Sequence, residues 1–157
     1  MKTKNPLFVV RDMEKAKTFY REVLGLRVTA DLGVNVMLTG GLSLQTRESW
    51  LEFIEKDESQ LHFGGNDGEM YFEEEDFDGF VEKLKKRSDI TYVHPVKEHS
   101  WGQRVVRITD CDGHILEIGE DLGTVCRRFI ASGLTLEQTA ERMCVPLRAV
   151  KRWANEN

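Results

Sequence analysis

Proline and cysteine are scarce, three of each in 157 residues. Cys111, Cys126 and Cys144 are odd in number and form no C-x-x-C pair. That excludes a zinc ribbon and a disulfide-stapled scaffold, and it points to a reducing, cytoplasmic location. No uninterrupted apolar run approaches the ~20 residues that a membrane span requires. The opening stretch Met1–Asn5 is charged and runs straight into an apolar segment, so no secretory leader is expected. Low-complexity tracts are missing too, which excludes collagen-like and disordered chains. What remains is globular material, 40% hydrophobic and 31% charged, enough for one domain core with a small appendage.

Charge divides the chain unevenly. Six Arg and Lys stand against three Glu from Gly123 to Asn157, a net +3 within a chain of −5. An acidic body therefore carries a basic tail, an asymmetry that serves solubility or a nucleic-acid contact.

Periodicity supplies the layout. Pro6–Val10 reads as a buried strand, and Asp12 caps a helix whose apolar residues Ala16, Phe19, Tyr20, Val23 and Leu24 recur at helical spacing until Gly25. Strand-like runs follow at Leu26–Ala30, Val34–Leu38 and Leu42–Thr46, separated by Gly33 and Gly40-Gly41. Trp50–Ile54 suits a short helical turn, and residues 55–68 form a polar, Gly-rich loop. The pattern then restarts. Met70–Phe72 is a strand, Asp76 a cap, and Phe77, Phe80, Val81 and Leu84 an apolar helical stripe. Strands at Ile90–Val93, Arg104–Thr109 and Ile115–Ile118 complete it, with Asp110-Cys111-Asp112-Gly113 as the turn before the last. An offset of 64 residues pairs Asp12 with Asp76, Ala16 with Phe80, Tyr20 with Leu84 and Leu26 with Ile90. A slightly larger one pairs Gly41 with Gly113 and Leu44 with Leu116. Two βαβββ units in one chain account for this most simply.

Beyond Gly119 three helical segments are expected, Thr124–Ser132, Thr135–Val145 and Pro146–Glu156, broken by Gly133 and by Pro146. Thr135 with Gln138 makes a capping-box pattern. The last two segments look like a helix-turn-helix. Arg148, Lys151 and Arg152 would lie on its second helix, near phosphates if it met DNA. The favoured expectation is a packing or dimer contact, anchored by Phe129, Ile130, Leu134, Val150 and Trp153, with nucleic acid as the alternative.

Val10-Arg11-Asp12-Met13, Phe19-Tyr20 and Val23-Leu24-Gly25-Leu26 together resemble the opening of the vicinal oxygen chelate superfamily, which includes glyoxalase I, bleomycin-resistance proteins, fosfomycin-resistance enzymes and extradiol dioxygenases. Met70-Tyr71-Phe72-Glu73, Trp101-Gly102-Gln103-Arg104 and Asp112-Gly113-His114-Ile115-Leu116-Glu117 extend the likeness over roughly residues 5 to 121. The resemblance implies an α+β fold, two βαβββ modules forming an open cleft over residues 1–121, usually dimeric; residues 122–157, beyond it, are the helical extension read from the residues themselves. It also implies metal-ligand positions at Asn5 and Glu69 on the first strand of each module, and at Gln45 (or Ser43) and Glu117 on the fourth. Glu117 matches the family's ligand motif, whereas the usual histidines are absent from the other three positions.

Strand alternation independently groups Ser43, Gln45 and Arg47, and likewise Glu69, Tyr71 and Glu73, on faces opposite their apolar neighbours. Two carboxylates and up to two amide oxygens suit Mg²⁺, Mn²⁺ or Ca²⁺, whereas a transition-metal site without imidazole or thiolate is unusual. His94, His99, Trp101 and Arg104 would supply an aromatic and basic wall for an anionic or aromatic ligand, or else a plain surface loop. The acidic run Glu73–Asp76 is taken as a strand end and a cap, and Cys111 has no identifiable base beside it. The favoured reading is a homodimeric, metal-independent binder of a small organic molecule in the cleft, using Asn5, Gln45, Arg47, Tyr71, Trp101 and Arg104. Two alternatives stay open. One is a divalent-metal-dependent glyoxalase-type lyase or isomerase with Glu69 and Glu117 as ligand and base, and the other is a ligand-responsive DNA-binding regulator.

Overall fold

The computed structural model describes residues 1–156; Asn157, the last residue of the expected extension, lies outside them. The fold is α+β and divides into two compact units. The first comprises Met1–Gly68 together with Thr109–Ile115; the second comprises Glu69–Ile108 and the chain from Leu116 onward.

In the first unit β1 (Leu7–Val10), α1 (Met13–Leu24), β2 (Val28–Asp31), β3 (Asn35–Leu38) and β4 (Ser43–Thr46) follow in order. The sheet runs β1-β4-β3-β2, with β1 parallel to β4 and the remaining pairs antiparallel. Helix α1 starts where the Asp12 carboxylate accepts from the Lys15 backbone N–H, and it stops at Gly25, whose left-handed φ of 69° a side chain would strain. The α1 stripe of Ala16, Phe19, Tyr20 and Val23 is buried, as are Val10, Val36, Leu38, Leu42 and Leu44 of the sheet and its turns. Each large apolar side chain so buried contributes about 1.5–3 kcal/mol relative to exposure. In this unit two boundaries differ from the sequence reading by more than one residue. Leu26 bonds back to the Tyr20 carbonyl as part of the helix cap, so β2 begins only at Val28. The expected turn at Trp50–Ile54 is the second half of an eight-residue helix, α2 (Arg47–Ile54), that follows β4 without a gap.

The second unit repeats the plan with β5 (Glu69–Glu74), α3 (Phe77–Lys85), β6 (Thr91–Glu98), β7 (Arg104–Thr109) and β8 (Ile115–Glu120). Its order β5-β8-β7-β6 is the same permutation as in the first sheet. Asp76 caps α3 by accepting from the Gly79 N–H, as Asp12 caps α1. Phe77, Phe80 and Leu84 of α3 and Val106, Ile108, Leu116 and Ile118 of the sheet are all buried.

Three helices complete this unit: α4 (Leu122–Ala131), α5 (Leu136–Met143) and α6 (Leu147–Trp153). They close around Val125, Cys126, Ala140, Met143 and Val150. Both hydrogen bonds of the Thr135–Gln138 capping box are formed. Helix α4 fastens the group to the module before it. The Arg128 guanidinium donates to the Gly102 carbonyl at 2.8 Å, and the Phe129 ring lies so close to Gly102 that a Cβ there would meet it at 2.2 Å.

Candidate functional site

Strand alternation gives β7 two chemically different faces. Arg104 and Arg107 are three residues apart and so point to opposite sides. Arg104 binds the buried Glu120 and Asp78, and Glu120 also receives Arg128, so this group is an ion-pair network on the side of α3 and α4. Carboxylate hydrogen bonds from Glu120 and Asp78 push the Arg104 guanidinium pKa upward. Arg104 is thereby occupied in holding the fold together. It does not join the other residues proposed from sequence.

Arg107 is the centre of the opposite face. Its Nε donates to Glu69 Oε2 at 2.7 Å and one Nη donates to Glu69 Oε1 at 3.3 Å, while the same nitrogen pairs with Glu117. His94 Nε2 stands 3.1 Å from the other Nη. The structure thus brings together Glu69 and Glu117, the two carboxylates singled out in the sequence, through one guanidinium. Glu117 is buried; the Glu69 side chain is 37% exposed. His99 stacks on Trp101 with ring centroids 4.2 Å apart. Burial, then the nearby Arg107 and His94, hold the His99 imidazole below its ordinary pKa. Trp101 Nε1 donates to Gln103 Oε1, and Gln103 Nε2 donates to the Tyr71 hydroxyl at 2.7 Å and to the Glu120 carbonyl at 2.8 Å. Burial raises the Tyr71 phenol to about 12, opposed by the Gln103 hydrogen bond and reinforced by Glu73. Gly119 makes this closure feasible, because a Cβ there would lie 2.6 Å from Gln103 Nε2 and 3.0 Å from the Tyr71 ring.

The first unit has a neutral version of the same arrangement. Asn5 donates to Ser43 Oγ at 3.0 Å, Asn35 donates to Gln45 Oε1 at 2.7 Å, and Gln45 Nε2 donates to Ser49. The offset that carries Leu44 to Leu116 carries Asn35 to Arg107 and Gln45 to Glu117. An amide–amide bond in one module therefore stands where an ion pair stands in the other. Arg47 is elsewhere: β4 has already ended at Thr46, and the Arg47 guanidinium on α2 pairs with Glu48 and Glu58. The strand alternation that grouped Arg47 with Gln45 does not extend into a helix.

These residues do not fit a divalent cation as they stand. A cation between Glu69 and Glu117 would have to displace Arg107, which is already paired with both. The amide oxygen of Gln45 is taken by Asn35, and among the described residues no three His, Cys, Asp or Glu side chains converge on one point.

One further buried cluster was not recognised from sequence. Asp110 Oδ2 accepts from the Tyr20 hydroxyl at 2.7 Å and lies 2.8 Å from His114 Nδ1, while Oδ1 accepts from the backbone N–H of Asp112 and of His114. Burial alone would raise this carboxyl, but His114 and Tyr20 outweigh it and hold the pKa below the usual range. The ring of His114 stacks on Phe8 at 4.3 Å, and Asp112 pairs with Arg11 at 3.1 Å. Burial together with Asp110 and Asp112 pushes the neighbouring Cys111 thiol up to about 12, so it is no nucleophile.

A βαβββ module used twice, with a carboxylate-bearing polar face in one copy and its amide counterpart in the other, defines a class of two-module α+β proteins. The chain belongs to the glyoxalase-like family, whose domain model matches residues 3–123. A protein of unknown function from Agrobacterium tumefaciens str. C58 is 36% identical, with a TM-score of 0.70 over 77% of this chain and 94% of its own. A member of the glyoxalase/bleomycin resistance protein/dioxygenase superfamily from Sphaerobacter thermophilus is 24% identical, with a TM-score of 0.61 over 77% of this chain and 98% of its own. A glyoxalase-related enzyme from Fulvimarina pelagi is 16% identical, with a TM-score of 0.65 over 77% and 88%. The last two are likenesses of fold. No curated protein matches the sequence. Helices α5 and α6 lie beyond the family match.

Proposed function

We propose that the protein binds a small organic molecule without a metal, on the face of the second sheet that carries Glu69, Tyr71, Arg107 and Glu117, and that this ligand is neutral or cationic and bears N–H donors. The single observation that carries this reading is Arg107, which holds both carboxylates where a metal-dependent relative would need them free. Two carboxylates against one guanidinium leave one negative charge, and His99, held below its ordinary pKa, adds none at neutral pH. The basic wall expected for an anionic ligand is therefore spent internally: Arg104 on Glu120 and Asp78, Arg107 on Glu69 and Glu117. The His99–Trp101 stack gives the site an aromatic edge, which suits a ring-bearing ligand. Both carboxylates are already paired, so neither is offered as the proton-shuttling base of a lyase.

A thermal-shift comparison of benzylamine with benzoate tests this. Benzylamine at saturating concentration should raise Tm, as any ligand of the native state does, by about 2.7 kcal/mol of added stability at a hundredfold excess over Kd. Chelator should not change the shift, and Glu117→Gln should reduce it. A larger shift with benzoate, or one that appears only with added Mn²⁺, would refute the reading.

A further inference from the structure

We propose that the α4–α6 tail is a docking module for duplex DNA, with the outer face of α6 against the phosphate backbone. The observation is a division of labour among the three helices. Attachment to the body is the work of α4, through Arg128 on Gly102 and Glu120 and through Phe129 on Gly102. The apolar residues of α6 face inward: Val150 is fully buried in the tail's cluster, and Leu147 and Trp153 pack on it. The opposite side of α6 is thus needed neither for the tail's own core nor for its attachment.

That side carries Arg148, Lys151 and Arg152, spaced i, i+3 and i+4 and all exposed. Among the described residues Arg148 and Lys151 have no acidic partner, in a chain where most other arginines are ion-paired. Arg152 has one acidic partner among the described residues, Glu156 at 3.4 Å, and lies over the Trp153 ring. Helix α5 is joined to α6 by Cys144, Val145 and Pro146, with Cys144 at a left-handed φ of 57°, a turn of the length that sets two helices as a helix-turn-helix. The body is acidic, so attraction to a polyanion is confined to this basic segment. Duplex is favoured over single-stranded RNA by what α6 does not expose. Stacking of unpaired bases needs free aromatic rings, and Trp153 is turned into the tail's cluster while Phe129 lies on Gly102. A single short helix with cations on one side matches the ~12 Å major groove and its flanking phosphates.

The test is fluorescence anisotropy of a labelled 30-base-pair duplex of random sequence with the full chain, across a salt series. Binding should be micromolar at low salt and weaken as salt rises. Changing Arg148 and Lys151 together to Ala should weaken it at least tenfold and lower the log–log salt slope by about 2. Changing Lys83 and Lys86, exposed cations of the body, should leave both quantities in place. Both substitutions are on the surface, and circular dichroism checks that the fold is kept. No binding at low salt, tighter binding to single-stranded RNA than to duplex, or equal losses in the two double variants would each overturn the proposal.

Discussion

Replacing Asp110 with Ala is the most informative perturbation of this fold. The carboxylate serves four donors from a nearly water-free position: the Tyr20 hydroxyl, His114 Nδ1 and the backbone N–H groups of Asp112 and His114. Alanine leaves the Tyr20 hydroxyl and the two amides without acceptors. Each buried donor so stranded costs about 1–3 kcal/mol, and three together amount to about 3–9 kcal/mol. For a chain of this length 1 kcal/mol moves Tm by about 2–4 °C, so the variant should melt about 6 °C or more below the parent. Tyr20→Phe removes one donor and leaves the carboxylate to its other three, so about 1 kcal/mol is expected. The double variant should show the two residues to be coupled rather than additive. The pH dependence fixes the mechanism. Asp110 titrates below its usual value in the folded chain, so its stabilisation is complete above the unfolded pKa of about 3.9 and is lost as pH falls through the lower folded value. The gap between parent and Asp110→Ala should accordingly hold from pH 7 to pH 5 and narrow towards pH 3. Thermal melts followed by circular dichroism measure all of this. A Tm within 2 °C of the parent, or a gap that does not narrow as pH falls below 4, would refute the reasoning.

Arg107→Ala should turn the Glu69–Glu117 pair, with His94 beside it, into a site for a hard divalent cation. Calorimetric titration with Mn²⁺ should show binding in the variant and none in the parent, and silence in both would contradict the cation-substitution argument. Gly102→Ala meets both a φ of 86° and the Phe129 ring at 2.2 Å, so it should cost about 2 kcal/mol and speed amide exchange in α4 before that in α1. Cys144→Gly relieves a left-handed backbone at the end of α5 and should stabilise the protein by about 1 kcal/mol in urea melts; a lower urea midpoint would show that the thiol contributes packing at that turn.

The scaffold was legible because its signals are local. Asp12 and Asp76 stand at cap positions before apolar stripes, and both cap as the sequence suggests. The repeat likewise follows from offsets that need no knowledge of contacts. Arg47 shows where local reading ends. Thr46, Glu48 and Ser49 carry the composition of a helix start, and Ser49 Oγ does bond back to the Thr46 carbonyl, but extending the strand by one residue put Arg47 on the wrong surface. Arg107 was overlooked for a different reason. Alternation along β7 sets it opposite Arg104, and the repeat offset sets it at the counterpart of Asn35, so its place could have been read. Its binding of two carboxylates from two other strands could not, because that depends on register between segments far apart in sequence. The Asp110 cluster is the extreme case, since Tyr20 and Asp110 are 90 residues apart.

Thr109–Ile115 belongs to the first unit although the chain on either side of it belongs to the second. That stitch bears on how such a chain can be divided. A gene cut after Gly68 would encode a first half lacking the peptide that satisfies the Tyr20 hydroxyl and stacks on Phe8. Its product should stay partly unfolded until a fragment carrying Thr109–Ile115 is supplied in trans. Duplication of an ancestral module would make two self-sufficient copies at the outset. Lending this loop makes the first copy depend on the chain of the second, so the two can no longer be separated without loss to the first.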